Sequence, residues 1–147
     1  MRLATNTQIN KLSMPELPAL ADLLIEMGSQ AWQLQLTVPM GNAADRPDML
    51  LQPYELLELF PLLVWIKETK MTPNRIAFFP GNNIGYFGPY EEHLRYGGSK
   101  GAHWAGCGAG KWCLGVEADG KIKGCPSLSS EDYTGGYFGE TALVEVV

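Results

Sequence analysis

The chain has 147 residues, of which 46% are apolar and 18% charged, with a formal charge of -5. This is a globular composition of about one domain's size, which excludes disordered and fibrous classes. The eleven basic and sixteen acidic residues form no basic stripe in either half, so a nucleic-acid footprint is excluded.

The distribution is more telling than the totals. Of 17 glycines only Gly28 and Gly41 lie in residues 1–80, eight of the ten prolines lie at or before Pro80, and all three cysteines lie between 107 and 125. A leucine-rich, helix-capable first half is followed by a glycine-rich, loop-heavy second half that carries every thiol. Such asymmetry excludes a uniform repeat or a coiled coil. The apolar stretch Leu56 to Ile66 is broken by Glu58 and Pro61 and is too short to span a bilayer, and Met1 to Met14 lacks the apolar run of a secretory signal. Cytoplasm without membrane attachment is the expected setting, and clustered cysteines there suit metal or thiol chemistry.

In chain order, Arg2 to Thr7 reads as the end of a strand. Ser13-Met14-Pro15-Glu16 then predicts a helix start, with the Ser13 hydroxyl and Glu16 side chain capping reciprocally. Leu17, Leu20, Ala21 and Leu24 follow at helical spacing, and Gly28 is placed to end the helix. Pro18 fits only if it lies in the first turn. Ala31 to Val38 alternates as a strand, Pro53 opens a second helix to about Lys70, and Arg75 to Phe79 is a third strand-like run. The β-α-β-α-β order predicts parallel strands with covering helices.

The middle strand turns Trp32, Leu34, Leu36 and Val38 one way and Gln33, Gln35 and Thr37 the other. A doubly wound sheet would bury both faces of such a strand. In a β/α barrel the inward face can be polar, and Gln33, Gln35 and Thr37 would line a site; the plainer alternative is an edge or half-solvated strand. Loops after parallel strands share one rim, where ligands bind. Those loops hold Asn6, Gln8 and Asn10, then Asn42 with Asp45 and Arg46, then Asn82 and Asn83. They read either as a polar mouth or as ordinary turn chemistry.

Beyond Phe79, Pro89 to Arg95 predicts a short helix, and Leu114 to Lys123 a β-hairpin turning on Asp119-Gly120. Thr141 to Val147 fits a strand or a helix start. Glu91-Glu92 and Glu131-Asp132 read as solvated pairs that make no case for acid–base catalysis. Cys107, Cys113 and Cys125 form no C-x-x-C pair, but a glycine-turned hairpin would bring Cys107 and Cys125 toward one metal centre. Cys113, beside Trp112, is at least as suited to packing. His103 and Asp119 are conceivable additional ligands. Three thiolates, with or without His103, would also suit tetrahedral zinc in a non-catalytic scaffold module.

Cys107-Gly-Ala-Gly, Leu114-Gly-Val-Glu-Ala-Asp-Gly and Lys121-Ile-Lys-Gly-Cys-Pro-Ser-Leu together resemble the opening of the SPASM region of radical S-adenosylmethionine enzymes. Gln33-Leu-Gln-Leu-Thr-Val-Pro-Met-Gly-Asn is similar to a late barrel strand and its loop in the same enzymes. The resemblance runs from about Leu3 to Leu128. It implies an α/β chain with a partial (βα) barrel portion of about three parallel strands over residues 1–88. A truncated, loop-rich β-hairpin cysteine module would follow over 89–147. It further implies that Gln33, Gln35, Thr37 and Asn42 face a cofactor or substrate, and that Cys107 and Cys125 bind an auxiliary [4Fe–4S] cluster, with Cys113 at an unmatched position. The C-x-x-x-C-x-x-C motif of the catalytic cluster is absent, as are the later SPASM cysteines. The expectation is therefore a piece of a peptide-modifying maturase or oxidoreductase, inactive alone. S-adenosylmethionine would be used only in the complete enzyme, with another chain supplying the missing barrel half.

Overall fold

The computed structural model describes residues 3–95, 100–103, 106–125, 128 and 131–142. The chain divides into two compact units, Met1–Ala105 and Gly106–Val147. The first unit extends past the third strand, and the helix that follows places Leu94 in its core.

The first unit is α/β. Strands β1 (Ala4–Ile9), β2 (Ala31–Leu36) and β3 (Ala77–Pro80) form a parallel sheet in the order β1-β2-β3. Ala4 to Ile9 pair in register with Ala31 to Leu36, and Ala31 to Leu34 pair with Ala77 to Pro80. Helices α1 (Leu17–Glu26) and α2 (Leu56–Ile66) make the crossovers, and a short α3 (Glu91–Leu94) follows β3. Leu17, Ala21 and Leu24 of α1 and Leu59, Phe60, Leu63 and Ile66 of α2 share one core with Trp32, Leu34 and Phe78. Both long helices therefore cover the same sheet face, as sequential right-handed crossovers require. Trp32 meets Phe78 edge-on at 5.5 Å, and its indole N–H donates to Thr7 Oγ1 at 2.9 Å, so the largest core side chain buries no orphan donor.

Local chemistry departs from expectation at the first helix start. Ser13 caps nothing there: its hydroxyl donates to the Gln8 carbonyl and accepts from the Asn10 N–H, both at 2.9 Å. Asn10 Oδ1 instead accepts the Leu12 and Ser13 N–H groups, an Asx turn, and a tight 3-10 turn over Met14–Glu16 leads into α1. Pro18 lies in the first turn, where no N–H is missed. The other end follows the sequence: Gly28 adopts φ 68, and the Ser29 and Gly28 N–H groups return to Leu24 and Ile25 carbonyls as a Schellman cap.

α2 runs through Pro61 and continues as a π-helix over Lys67–Met71, closed by Thr72 N–H to Lys67 O at 2.8 Å. Proline deprives the Leu57 carbonyl of its helical partner, and Leu57 lies exposed, where water can serve it. The run Pro47–Met71, 25 residues, holds an 18-residue window of mean hydropathy 1.3 and is long and apolar enough to cross a membrane by length and composition. That is a longer stretch than Leu56 to Ile66, yet five of its side chains, Leu59, Phe60, Leu63, Ile66 and Met71, are built into the sheet's core.

In the second unit β4 (Gly115–Val116) and β5 (Lys121–Lys123) form an antiparallel hairpin, and β6 (Gly136–Tyr137) pairs with β5. Gly120 takes φ 89 at the turn, and Asp119 Oδ1 accepts the Lys121 N–H at 3.1 Å, the role expected of Asp-Gly. Ile122 is its fully buried centre. Residues 143–147, most of the expected terminal element, lie outside those described.

Candidate functional site

One sheet face carries the helices; the other carries a plane of uncharged polar groups. Asn6 stands beside Gln33 and Gln8 beside Gln35 in the β1–β2 register, and Gln8 Nε2 donates to Gln35 Oε1 at 2.9 Å. Gln33 is exposed and Gln35 half-buried, whereas their neighbours Trp32 and Leu34 are fully buried. Ala77 and Phe79 of β3, also exposed, extend this face. Among the described residues it carries no ionised side chain.

The rim at the strand ends is held by the chain's own groups. Asn83 Nδ2 donates to the Leu36 carbonyl at 2.8 Å and its Oδ1 accepts the Leu36 N–H at 3.3 Å, so the amide continues the ladder where β3 has ended. Gly81 makes the approach possible: a Cβ there would lie 2.9 Å from both Gln35 Cγ and the Leu34 carbonyl. Asn10 and Asn82 are likewise engaged in turns and in a contact with Arg95. For Asn10, Asn82 and Asn83 turn chemistry thus accounts for the amides.

Thr37 and Asn42 come together. Both line a cavity of about 300 Å³ past the end of β2, with Ala43, Arg46, Met49 and Leu50. Thr37 Oγ1 is buried with no hydrogen-bond partner, the one such side-chain atom among the described residues. Arg46 is paired with Asp48 through Nε–Oδ1 and Nη2–Oδ2 contacts of 3.1 and 3.0 Å. The hydrogen bond to Arg46 holds the Asp48 carboxyl below its ordinary range.

Glu91 corrects the sequence reading. It is not solvated: it is buried against Arg95, with Nη2–Oε1 at 3.0 Å and Nε–Oε2 at 3.2 Å, and it accepts the Phe87 N–H at 2.9 Å. Arg95 also donates to the Gly85 carbonyl and stacks 4.2 Å from the Phe87 ring centroid, which pins the loop after β3. The signal available in the sequence was the i, i+4 acid–base spacing. Lys67, also buried, donates to the His93 carbonyl, and burial lowers its ammonium pKa. Glu92, Glu131 and Asp132 are exposed.

Cys107 and Cys113 are exposed and Cys125 is half-buried, and none is in a disulfide. Cys107 Sγ accepts the Ala109 N–H at 3.4 Å, and Cys113 Sγ contacts the Gly108 carbonyl at 3.8 Å. Gly110 approaches Gly124 so closely that a Cβ on Gly124 would lie 3.1 Å from Gly110 backbone atoms, which sets the cysteine loop against the residue before Cys125. His103 is exposed in the first unit, its Nδ1 3.4 Å from the Gly101 carbonyl. Asp119, exposed at the turn, bonds Lys121, which lowers its pKa. Among the described residues no three His, Cys, Asp or Glu side chains are grouped to hold a metal ion. A [4Fe–4S] cluster takes four thiolates and this chain has three cysteines. The residues present therefore do not fit a complete cluster, nor do they form the expected zinc set.

No protein-family model, no curated protein and no solved structure matches this chain.

Proposed function

We propose that the first unit is one wall of a (βα) barrel of the radical S-adenosylmethionine type, with Gln33 and Gln35 facing the lumen. The observation that carries this reading is the one-sided parallel sheet. Parallel sheets are ordinarily covered on both faces, yet here the central strand offers amides on an open face while both helices pack on the other. Barrel closure would turn that face inward. Neutral amides donate and accept in equal measure, which suits the uncharged polar groups of a peptide substrate or of a nucleoside.

Cys107 and Cys125 would then be two ligands of an auxiliary cluster completed from outside this chain. Since the set here is incomplete, no chemical step is assigned to it. The same proposal includes a cytoplasmic setting and a partner chain carrying the rest of the barrel.

The test follows the side-chain amide NMR signals of Gln33, Gln35 and Asn42 as S-adenosylmethionine is added to the ¹⁵N-labelled chain. Saturable shifts at those amides, without cleavage of the compound, are expected. Shifts confined to residues beyond 105, none at millimolar concentration, or turnover by the chain alone would overturn the reading.

A further inference from the structure

We infer that the cavity past the C-terminal end of β2 binds a small, largely apolar molecule carrying one hydroxyl or carbonyl group. Its walls come from Thr37 and the two short turns Gly41–Asp45 and Pro47–Met49, together with Leu50. That is the end of a parallel strand at which open α/β sheets take ligands.

Its size and lining define the ligand. At about 300 Å³ it sits at the lower limit of ligand pockets, roughly 300–1,000 Å³. It is nonetheless about twice the roughly 150 Å³ engineered cavity that admits benzene. Ala43, Met49 and Leu50 give it an apolar body. Among the described residues Arg46 is its only charged lining residue, and both of its contacts to Asp48 neutralise it locally, so the pocket does not call for an anion.

The polar requirement comes from Thr37. Its hydroxyl oxygen is buried without a partner, a condition proteins rarely tolerate because the lost hydration is not repaid. Thr37 itself lines the cavity, and a rotation about its Cα–Cβ bond would let the hydroxyl pair with a ligand group there, as donor or acceptor. A ligand with a single such group completes the pairing while its apolar body covers Met49 and Leu50. This holds whether or not the sheet belongs to a barrel.

Ligand-observed fluorine NMR on the full chain, with para-fluorophenol and fluorobenzene as probes, tests the assignment. Saturable binding of para-fluorophenol is expected. Thr37→Val keeps the branched shape without the hydroxyl; it should weaken para-fluorophenol about fivefold, the worth of one hydrogen bond, and leave fluorobenzene unchanged. Ala43→Leu, at a half-buried turn position, should fill the cavity and abolish binding of both probes while circular dichroism stays native. The inference is overturned if neither probe saturates on the wild-type chain at millimolar concentration. It also fails if Thr37→Val binds para-fluorophenol as the wild type does, or if binding survives Ala43→Leu.

Discussion

Replacing Arg95 by alanine would leave the Glu91 carboxylate inside the core without its counter-charge. The side chains are 4% and 8% exposed, so water has little access to the vacated position. Arg95 makes two contacts to the carboxylate, at 3.0 and 3.2 Å, and donates to the Gly85 carbonyl at 2.5 Å. Breaking a buried pair by removing one member costs about 3–5 kcal/mol, a large part of the 5–15 kcal/mol or so that stabilises a typical domain. Urea unfolding followed by far-ultraviolet circular dichroism measures the loss. Arg95→Met combined with Glu91→Leu removes both charges at similar volume, and most of the stability should return. Acid gives a second handle. Burial pushes the Glu91 carboxyl up, but hydrogen bonds from Arg95 and the Phe87 N–H, with the charges of Arg95 and His103, bring it below its ordinary value. A carboxyl lowered in the folded state contributes stability above the unfolded value, about 4.3, and loses it as pH falls through the folded one. The wild type should therefore weaken across that interval more than the doubly substituted chain. A cost under about 1 kcal/mol for Arg95→Ala, or no recovery in the double variant, would refute the reasoning.

Two further substitutions test the backbone geometry around the sheet. Gly81→Ala puts a methyl 2.9 Å from Gln35 Cγ and the Leu34 carbonyl; a loss of about 1–3 kcal/mol is expected, and an unchanged urea midpoint would contradict the close approach. Gly28→Ala meets no atom within 4 Å but must hold φ 68, so it isolates the left-handed penalty of about 1–2 kcal/mol. Gly28→Asn should cost less, and equal midpoints for the two variants would argue against a backbone origin.

Much of the first unit was legible because its signals are periodic. Leu17, Ala21 and Leu24 recur at helical spacing and are buried; Trp32 and Leu34 alternate with Gln33 and Gln35 and face opposite ways. Gly28 and Asp119-Gly120 announce turns through backbone chemistry that few other residues satisfy. What escaped depends on partners distant in the chain or on competition between local bonds. Ser13 looked like a cap, but the Gln8 carbonyl claims its hydroxyl. Glu91 looked solvated because burial depends on where Phe87 and Arg95 are carried by the loop after β3. That Thr37 and Asn42 line one cavity depends on the turns after β2, and the burial of the Thr37 hydroxyl without a partner has no signal in the sequence. For the cysteines, spacing tells how a hairpin can bring two ends together and nothing about side-chain convergence. Cys107 instead takes a hydrogen bond from its own loop, at Ala109.

The alternation in β1 and β2 constrains whatever covers the open face. Asn6, Gln8, Gln33 and Gln35 lie in two adjacent rows of the pleat. A dry helical layer laid over them would remove these amides from water, and each unpaired polar group would cost on the order of 1–3 kcal/mol. The Gln8–Gln35 bond meets only part of that demand. A doubly wound arrangement with an apolar second layer is thus disfavoured by the residues themselves. Whatever meets that face must offer hydrogen-bonding groups to these amides. An aliphatic helix cannot meet that condition, whereas water, a peptide backbone or a second row of amides can.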